Sequence, residues 1–264
     1  FIHGVMNTDN CSMSGETIDY GPCAFMDSYH PETVFSSIDR FGRYSYAAQA
    51  DIIVWNMAQL ATALLSLMPD PEASVEPFTA QIHTMPDLIR AEWLNRFAAK
   101  LGITNAKPED AKLIGDLLGA METAKADFTN TFRGLIDGTA RDHFLDPMEF
   151  DIWAEAWKAR IAQEPDPDAV MARANPVLIP RNHRIEEMID VATEGDDSLF
   201  NRLSAAFADP YTAKPEYSDV VLPEPDGPAI AENSPATKSS DSDSSAALKV
   251  ALGRMTATHF STSG

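Results

Sequence analysis

Between residues 45 and 207, large apolar side chains recur every three or four positions, and that spacing allows little besides packed helices. Ile53, Met57, Leu60 and Leu64 mark one face of a long helix, and Met85, Ile89, Trp93 and Phe97 mark a second. Pro108 precedes a face of Leu113, Leu117 and Met121, and Phe150, Trp153, Trp157 and Ile161 define another. After the acidic, proline-containing break EPDPDA, Ile185, Met188 and Ile189 form a short helix stopped at Gly195, and Leu199, Leu203 and Phe207 begin the next. The tryptophans on these faces, Trp93, Trp153 and Trp157, are expected to pack in the core rather than stack on bases. No unit of 20–50 residues repeats and no heptad pattern is sustained, so neither a solenoid nor a coiled coil is expected.

The opening is different in character. Residues 1–21 read as strand, turn and strand, with the turn at SMSG and with Gly15 or Gly21 available for unusual backbone angles. This segment gathers His3, Asp9, Asn10 and Asp19. Two carboxylates and an amide suit a divalent cation held against phosphate oxygens, and Asp9 has a second use in orienting a nucleophile. Such chemistry at the start of a chain is expected of a C-terminal portion of a longer protein.

Forty acidic against twenty basic residues give a formal charge of -20, which opposes nonspecific binding to nucleic acid or to an anionic membrane. No uninterrupted apolar run approaches about 20 residues, so no membrane span is expected. Two cysteines, Cys11 and Cys23, cannot build a disulfide scaffold and match no CxxC spacing. The histidines form no HExxH site, which argues against a zinc enzyme. Past Tyr211, prolines, acids and small polar residues predominate, so residues 212–264 are expected to be a flexible acidic tail with one short helical turn at ALKVALGRM.

The order of the opening motif follows a general kinase pattern, in which a His-x-Asp loop is followed by an Asn and then by Asp-Phe-Gly. His3 and Asn10 keep the spacing, and Asp19-Tyr20-Gly21 takes the last place; Val5 stands where the usual catalytic Asp belongs, leaving Asp9 as the available base. HGVMNTDN followed by TIDYGP resembles the selenoprotein O family, also called the YdiU family. Further likeness lies in DRFGRYSYAAQ at 39–49, DFTNTFR at 127–133 and the stretch from NPVLIPRN to ATEGD at 175–196, so the resemblance spans residues 1–211.

This resemblance implies a protein-kinase-like C-lobe over residues 1–211, mainly α with a small β-hairpin and without its N-lobe. It implies transfer of AMP from ATP to Ser, Thr or Tyr hydroxyls of proteins, with magnesium, or manganese in its place. Asp9 is then the proton acceptor, Asn10 and Asp19 are metal ligands, and Asp19 also approaches ATP through the ion. The family's glycine-rich loop and lysine clamp are not found here: GRYS is no GxGxxG loop and no GxxxxGK[ST] motif occurs, so the chain alone is expected to be silent or impaired. The alternatives are an ATP-dependent phosphotransferase and a noncatalytic ATP-binding scaffold. The redox-active residue that many members carry near the C-terminus has no counterpart in GRMTATHFSTSG. His3 is expected to be a scaffold residue of the loop, and Arg40, Arg43, Arg133 and Arg181 either pair with acids or meet phosphate. The expected location is cytoplasmic in a bacterium and mitochondrial in a eukaryote.

Overall fold

A computed structural model describes residues 1–223, and the expectations for the rest of the tail, including ALKVALGRM, lie outside the described residues. Among the described residues eight α-helices follow one another: α1 (Gln49–Leu64), α2 (Pro71–Lys100), α3 (Asp110–Ala124), α4 (Phe128–Asp137), α5 (Met148–Ile161), α6 (Pro167–Ala174), α7 (Asn182–Thr193) and α8 (Ser198–Phe207). Three of their starts are chemically explicit. Asp70, Asp127 and Asp166 cap α2, α4 and α6 by accepting from Ala73 N, Asn130 N and Ala169 N at 3.0, 2.7 and 3.1 Å. Pro71 and Pro167 fill the first helical position behind two of these caps. The EPDPDA segment, read as a break, is therefore also the start signal of α6.

Two expectations are corrected here. Among the described residues there is no β-strand, only isolated antiparallel bridges between Ile2 and Ala24, Cys11 and Thr17, and Ser28 and Asp127. The hairpin is absent because its backbone is otherwise engaged. Gly4 has φ +81°, Thr8–Asn10 form a 3-10 turn, and Pro22 has no N–H to give to a ladder. The helices likewise do not build a kinase lobe. The order of short motifs states which residues flank a loop, and carries no information about how distant helices pack.

The main core lies where α2 ends against α3, α4, α5 and α6. Phe97, Leu101, Ile114, Leu117, Met121, Phe132, Trp153, Trp157 and Met171 are all buried within it. Trp153 and Trp157 stack at 5.5 Å and donate their indole N–H groups to Leu113 O and Leu101 O at 2.8 and 2.9 Å. Burial of an aromatic residue together with a satisfied polar edge is the favourable arrangement. In α2 only Phe97 and Ala98 are buried, so Met85, Ile89 and Trp93 share a face that the rest of the protein covers incompletely. A smaller cluster of Leu178, Leu203, Ala206 and Val220 joins α7 and α8, and Asn130 Nδ2 donates to Val221 O at 3.3 Å, so the chain is still packed past Tyr211.

One cluster of buried charge centres on Arg181, 1% exposed, whose guanidinium pairs with Asp27 and with Asp127, the latter at 2.8 Å. Asp127 is also the α4 cap. Alongside, Tyr29 N donates to Ala126 O at 2.9 Å and Phe128 N to Asp27 O at 2.7 Å. Three sequence-distant segments are thereby fixed at one point. Arg181→Met strands two carboxylates away from water, and should cost about 3–5 kcal/mol of stability in urea denaturation. The exposed Arg90→Ala, which removes only the surface pair with Asp87, should leave the midpoint unmoved. Equal midpoints for Arg181→Met and wild type would contradict this role.

Lys100, at the end of α2, donates to Ala174 O and Asn175 Oδ1, both at 3.2 Å, and lies over the rings of Phe128 and Phe132. Burial pulls its ammonium down to about 8 from the ordinary 10.5. Between those values the unfolded chain binds more protons than the folded one, so this group's contribution to stability rises with pH through the window and its cost is complete below it. The stability of wild type relative to Lys100→Met should therefore improve between roughly pH 7 and pH 10. A difference that stays flat across that range would contradict the assignment.

Candidate functional site

The opening segment is a loop closed twice. Ile2 and Ala24 exchange backbone hydrogen bonds at 2.8 and 3.0 Å, which brings the two arms together at the base. Nearer the tip, Cys11 bridges Thr17. The bridge is isolated, and from one end of it the chain runs to Asn10 in one arm and to Ile18 and Asp19 in the other. Asn10 and Asp19 thus leave the bridge at the same end, Asp9 preceding Asn10 in the Thr8–Asn10 turn.

Side chains from elsewhere hold this loop in place. Gln49, at the start of α1, accepts from His3 N at 2.9 Å and donates to Phe1 O at 3.2 Å. About two turns further along, buried Asn56 donates to Met6 O at 3.1 Å and to Cys11 Sγ at 3.0 Å. Tyr44 donates its hydroxyl to Asn7 Oδ1, just ahead of the Thr8–Asn10 turn. Cys23 Sγ joins the arms by donating to His3 O and Asp19 O, both at 3.3 Å. Burial and the neighbouring carboxylates, Asp9 for Cys11 and Asp19 for Cys23, push both thiols up; the Asn56 hydrogen bond opposes this at Cys11. Both are held as protonated packing groups.

By length and a mean hydropathy of 1.4, Gln49–Leu67 would suffice to cross a membrane, contrary to the reading of the sequence. Its polar residues Gln49 and Asn56 are nevertheless committed to the loop, and α1 packs on α2.

The sequence-selected residues are placed as follows. Asp9 and Asp19 are exposed, and neither forms an ion pair among the described residues. Asn10, partly buried, donates Nδ2 to Val5 O at 3.2 Å, which orients its carboxamide. Asp19 accepts from Gly21 N through Oδ1 at 3.0 Å. His3 is buried, with its backbone fixed by Gln49 and neither ring nitrogen hydrogen-bonded. Arg181 is a structural ion-pair residue, and Arg133 donates to Asn175 O at 3.4 Å.

The donor set consists of oxygens, and no group of three or more His, Cys, Asp or Glu gathers among the described residues. The side chains of Asn10 and Asp19 offer oxygen donors of the type that could hold magnesium, which keeps several waters and shares its shell with substrate phosphates, rather than a metal needing a full protein cage.

Several supporting residues went unrecognised in the sequence, Gln49, Tyr44, Asn56 and Gly4 among them. Asn56 had a signal, a lone amide inside the apolar run IIVWNMAQLATALL. Gly4 had none: a Cβ there would stand 2.1 Å from Pro22 O, at φ +81°. Of the two glycines marked for unusual angles, Gly15 adopts one, at φ +74°, whereas Gly21 does not and its amide donates to the Asp19 carboxylate.

The sequence profile described as protein adenylyltransferase SelO matches residues 1–208. The chain belongs to the protein adenylyltransferase SelO family. It is 59% identical over 223 residues to the protein nucleotidyltransferase YdiU of Ruegeria sp. (strain TM1040), covering 84% of this chain and 47% of that protein. Its counterpart in Ruegeria pomeroyi is 56% identical over 237 residues, 90% of this chain and 49% of the relative. That of Halalkalibacterium halodurans is 48% identical over 223 residues, 82% of this chain and 45% of the relative. The chain spans about half the length of the curated relatives it matches.

Gly4→Ala forces a left-handed, clashing residue into the crossing of the two arms, a strain of about 1–3 kcal/mol. In a Cys11→Ser background it should speed labelling of Cys23 by a water-soluble disulfide reagent about tenfold, because the bonds from Cys23 to His3 and Asp19 open together. An unchanged labelling rate would mean that the arms are not held together there.

Proposed function

We propose that this segment supplies the metal-holding and proton-accepting groups of an enzyme that moves AMP from ATP to Ser, Thr or Tyr hydroxyls of proteins. Membership in the adenylyltransferase family supports the choice of group transferred. The observation that carries the site is the Cys11–Thr17 bridge, from which Asn10 and Asp19 emerge at one end with Asp9 beside them.

Asn10 Oδ1 and Asp19 Oδ2 are the oxygens offered to magnesium, and the Val5 and Gly21 hydrogen bonds orient them. A magnesium ion held by these residues would neutralise phosphate charge. Asp9, exposed and outside any ion pair among the described residues, accepts the proton of the attacking hydroxyl. The new bond forms from that oxygen to the α-phosphorus, the bond from the α-phosphorus to the bridging oxygen breaks, and pyrophosphate leaves with the electron pair. His3, Gln49, Asn56 and Tyr44 fix the loop and touch no reacting atom.

The test replaces the matching segment of the Ruegeria sp. relative with residues 1–223 and supplies ATP, magnesium and a protein acceptor. Mass spectrometry should find an added AMP group on a hydroxyl. Asp9→Asn should lower kcat by about 100-fold or more while nucleotide binding persists. Asp19→Asn should weaken magnesium-dependent nucleotide binding. An added phosphate in place of AMP would assign phosphotransfer, and nucleotide binding without any transfer would make the segment a scaffold.

A further inference from the structure

Residues 1–60 contain seven carboxylates and two arginines, Arg40 and Arg43, with no lysine. Asp27 is taken by Arg181. A magnesium-bound triphosphate that approaches Asp9 and Asp19 therefore meets a strongly negative surface, and the charge on departing pyrophosphate needs a cation from this side.

Arg43 is held for that purpose. Asp39, buried at 7% exposure, accepts from Arg43 N at 2.9 Å and Tyr44 N at 2.7 Å, so both of its oxygens are used on backbone amides. The Arg43 guanidinium instead lies over Trp55, 4.7 Å from the ring centroid, and 5.7 Å from that of Tyr44. It has no carboxylate partner among the described ion pairs. Both ring residues lead directly to the loop: Tyr44 holds Asn7, and Asn56, next to Trp55, holds Met6 and Cys11. A guanidinium stacked on an aromatic face keeps its planar N–H edge free for bidentate contact with phosphate and loses little freedom on binding.

We propose that Arg43, stacked on Trp55, binds the terminal phosphates of the nucleotide and the pyrophosphate that leaves. This rests on the adenylyl-transfer reading above for its ligand. Arg43 touches the departing group and takes no proton from it.

The experiment titrates magnesium pyrophosphate into the grafted protein by calorimetry and, separately, measures transfer kinetics. Arg43→Gln should weaken pyrophosphate binding about 10- to 100-fold, the range of a charge-assisted hydrogen bond, with Arg43→Lys in between because it keeps charge but not the fork. In transfer, the KM for ATP and the pyrophosphate inhibition constant should rise together while the KM for the acceptor protein stays fixed. Trp55→Leu, which removes the platform and spares the cation, should give a smaller loss in the same two constants, and melting curves of all variants should coincide with wild type. Pyrophosphate binding unchanged in Arg43→Gln, or none in wild type, would overturn the proposal. So would a change confined to the acceptor KM, which would assign Arg43 to the acceptor protein. Wild type that binds pyrophosphate through Arg43 yet transfers no AMP would sink the functional reading and leave Arg43 standing, whereas AMP transfer with identical constants in Arg43→Gln would sink only this inference.

Discussion

The ion pairs of Arg181 are the constraint on which the arrangement depends. One buried guanidinium meets Asp27, just after the opening loop, and Asp127, the cap of α4. The flanking backbone bonds from Tyr29 and Phe128 form around this point. Buried ion pairs are not reliable sources of net stability, since desolvation cancels much of their attraction. Their value here is positional. An apolar core tolerates sliding, whereas a buried arginine with two carboxylates has one satisfactory arrangement, and the loop leaves the core from there.

From that anchor the loop is positioned by neutral groups. Gln49, Asn56, Tyr44 and Cys23 bind its backbone or its amides, and none of them spends a carboxylate. Asp9 and Asp19 consequently stay exposed, in a chain whose formal charge is -20. An acidic surface repels a bare polyphosphate. In the proposed reading a metal ion and the Arg43 guanidinium would reverse that locally.

Much of the helical body was legible in the sequence. The faces of α3, α5 and α8 were read correctly because each helix places its apolar residues against a neighbour, and period alone reports that; on α7 no residue is buried and Ile189, marked as part of its face, is exposed. On α1 the marked residues Ile53, Met57, Leu60 and Leu64 are only partly buried, while Ile52 and Asn56 point inward. A helix apolar on several faces does not reveal which one packs. The residue types of the site were visible, since Asp9, Asn10 and Asp19 lie within a few positions of each other. Their support was not, because Gln49, Asn56 and Tyr44 act across 37 to 50 residues. The hairpin failed for a related reason: the turn at SMSG suggested a strand on either side, while Gly4, Pro22 and the Thr8–Asn10 turn divert the backbone.

The central claim is that two short stretches, around Asn10 and around Asp19, present their oxygens to one cation. Paramagnetic manganese tests it without any catalytic readout, because it broadens the amide signals of residues near the ion. In labelled protein, substoichiometric manganese should selectively erase the signals of residues 9–11 and 18–21 together, and excess magnesium should restore them. Broadening spread evenly over the acidic surface, or confined to one of the two stretches, would contradict a shared site.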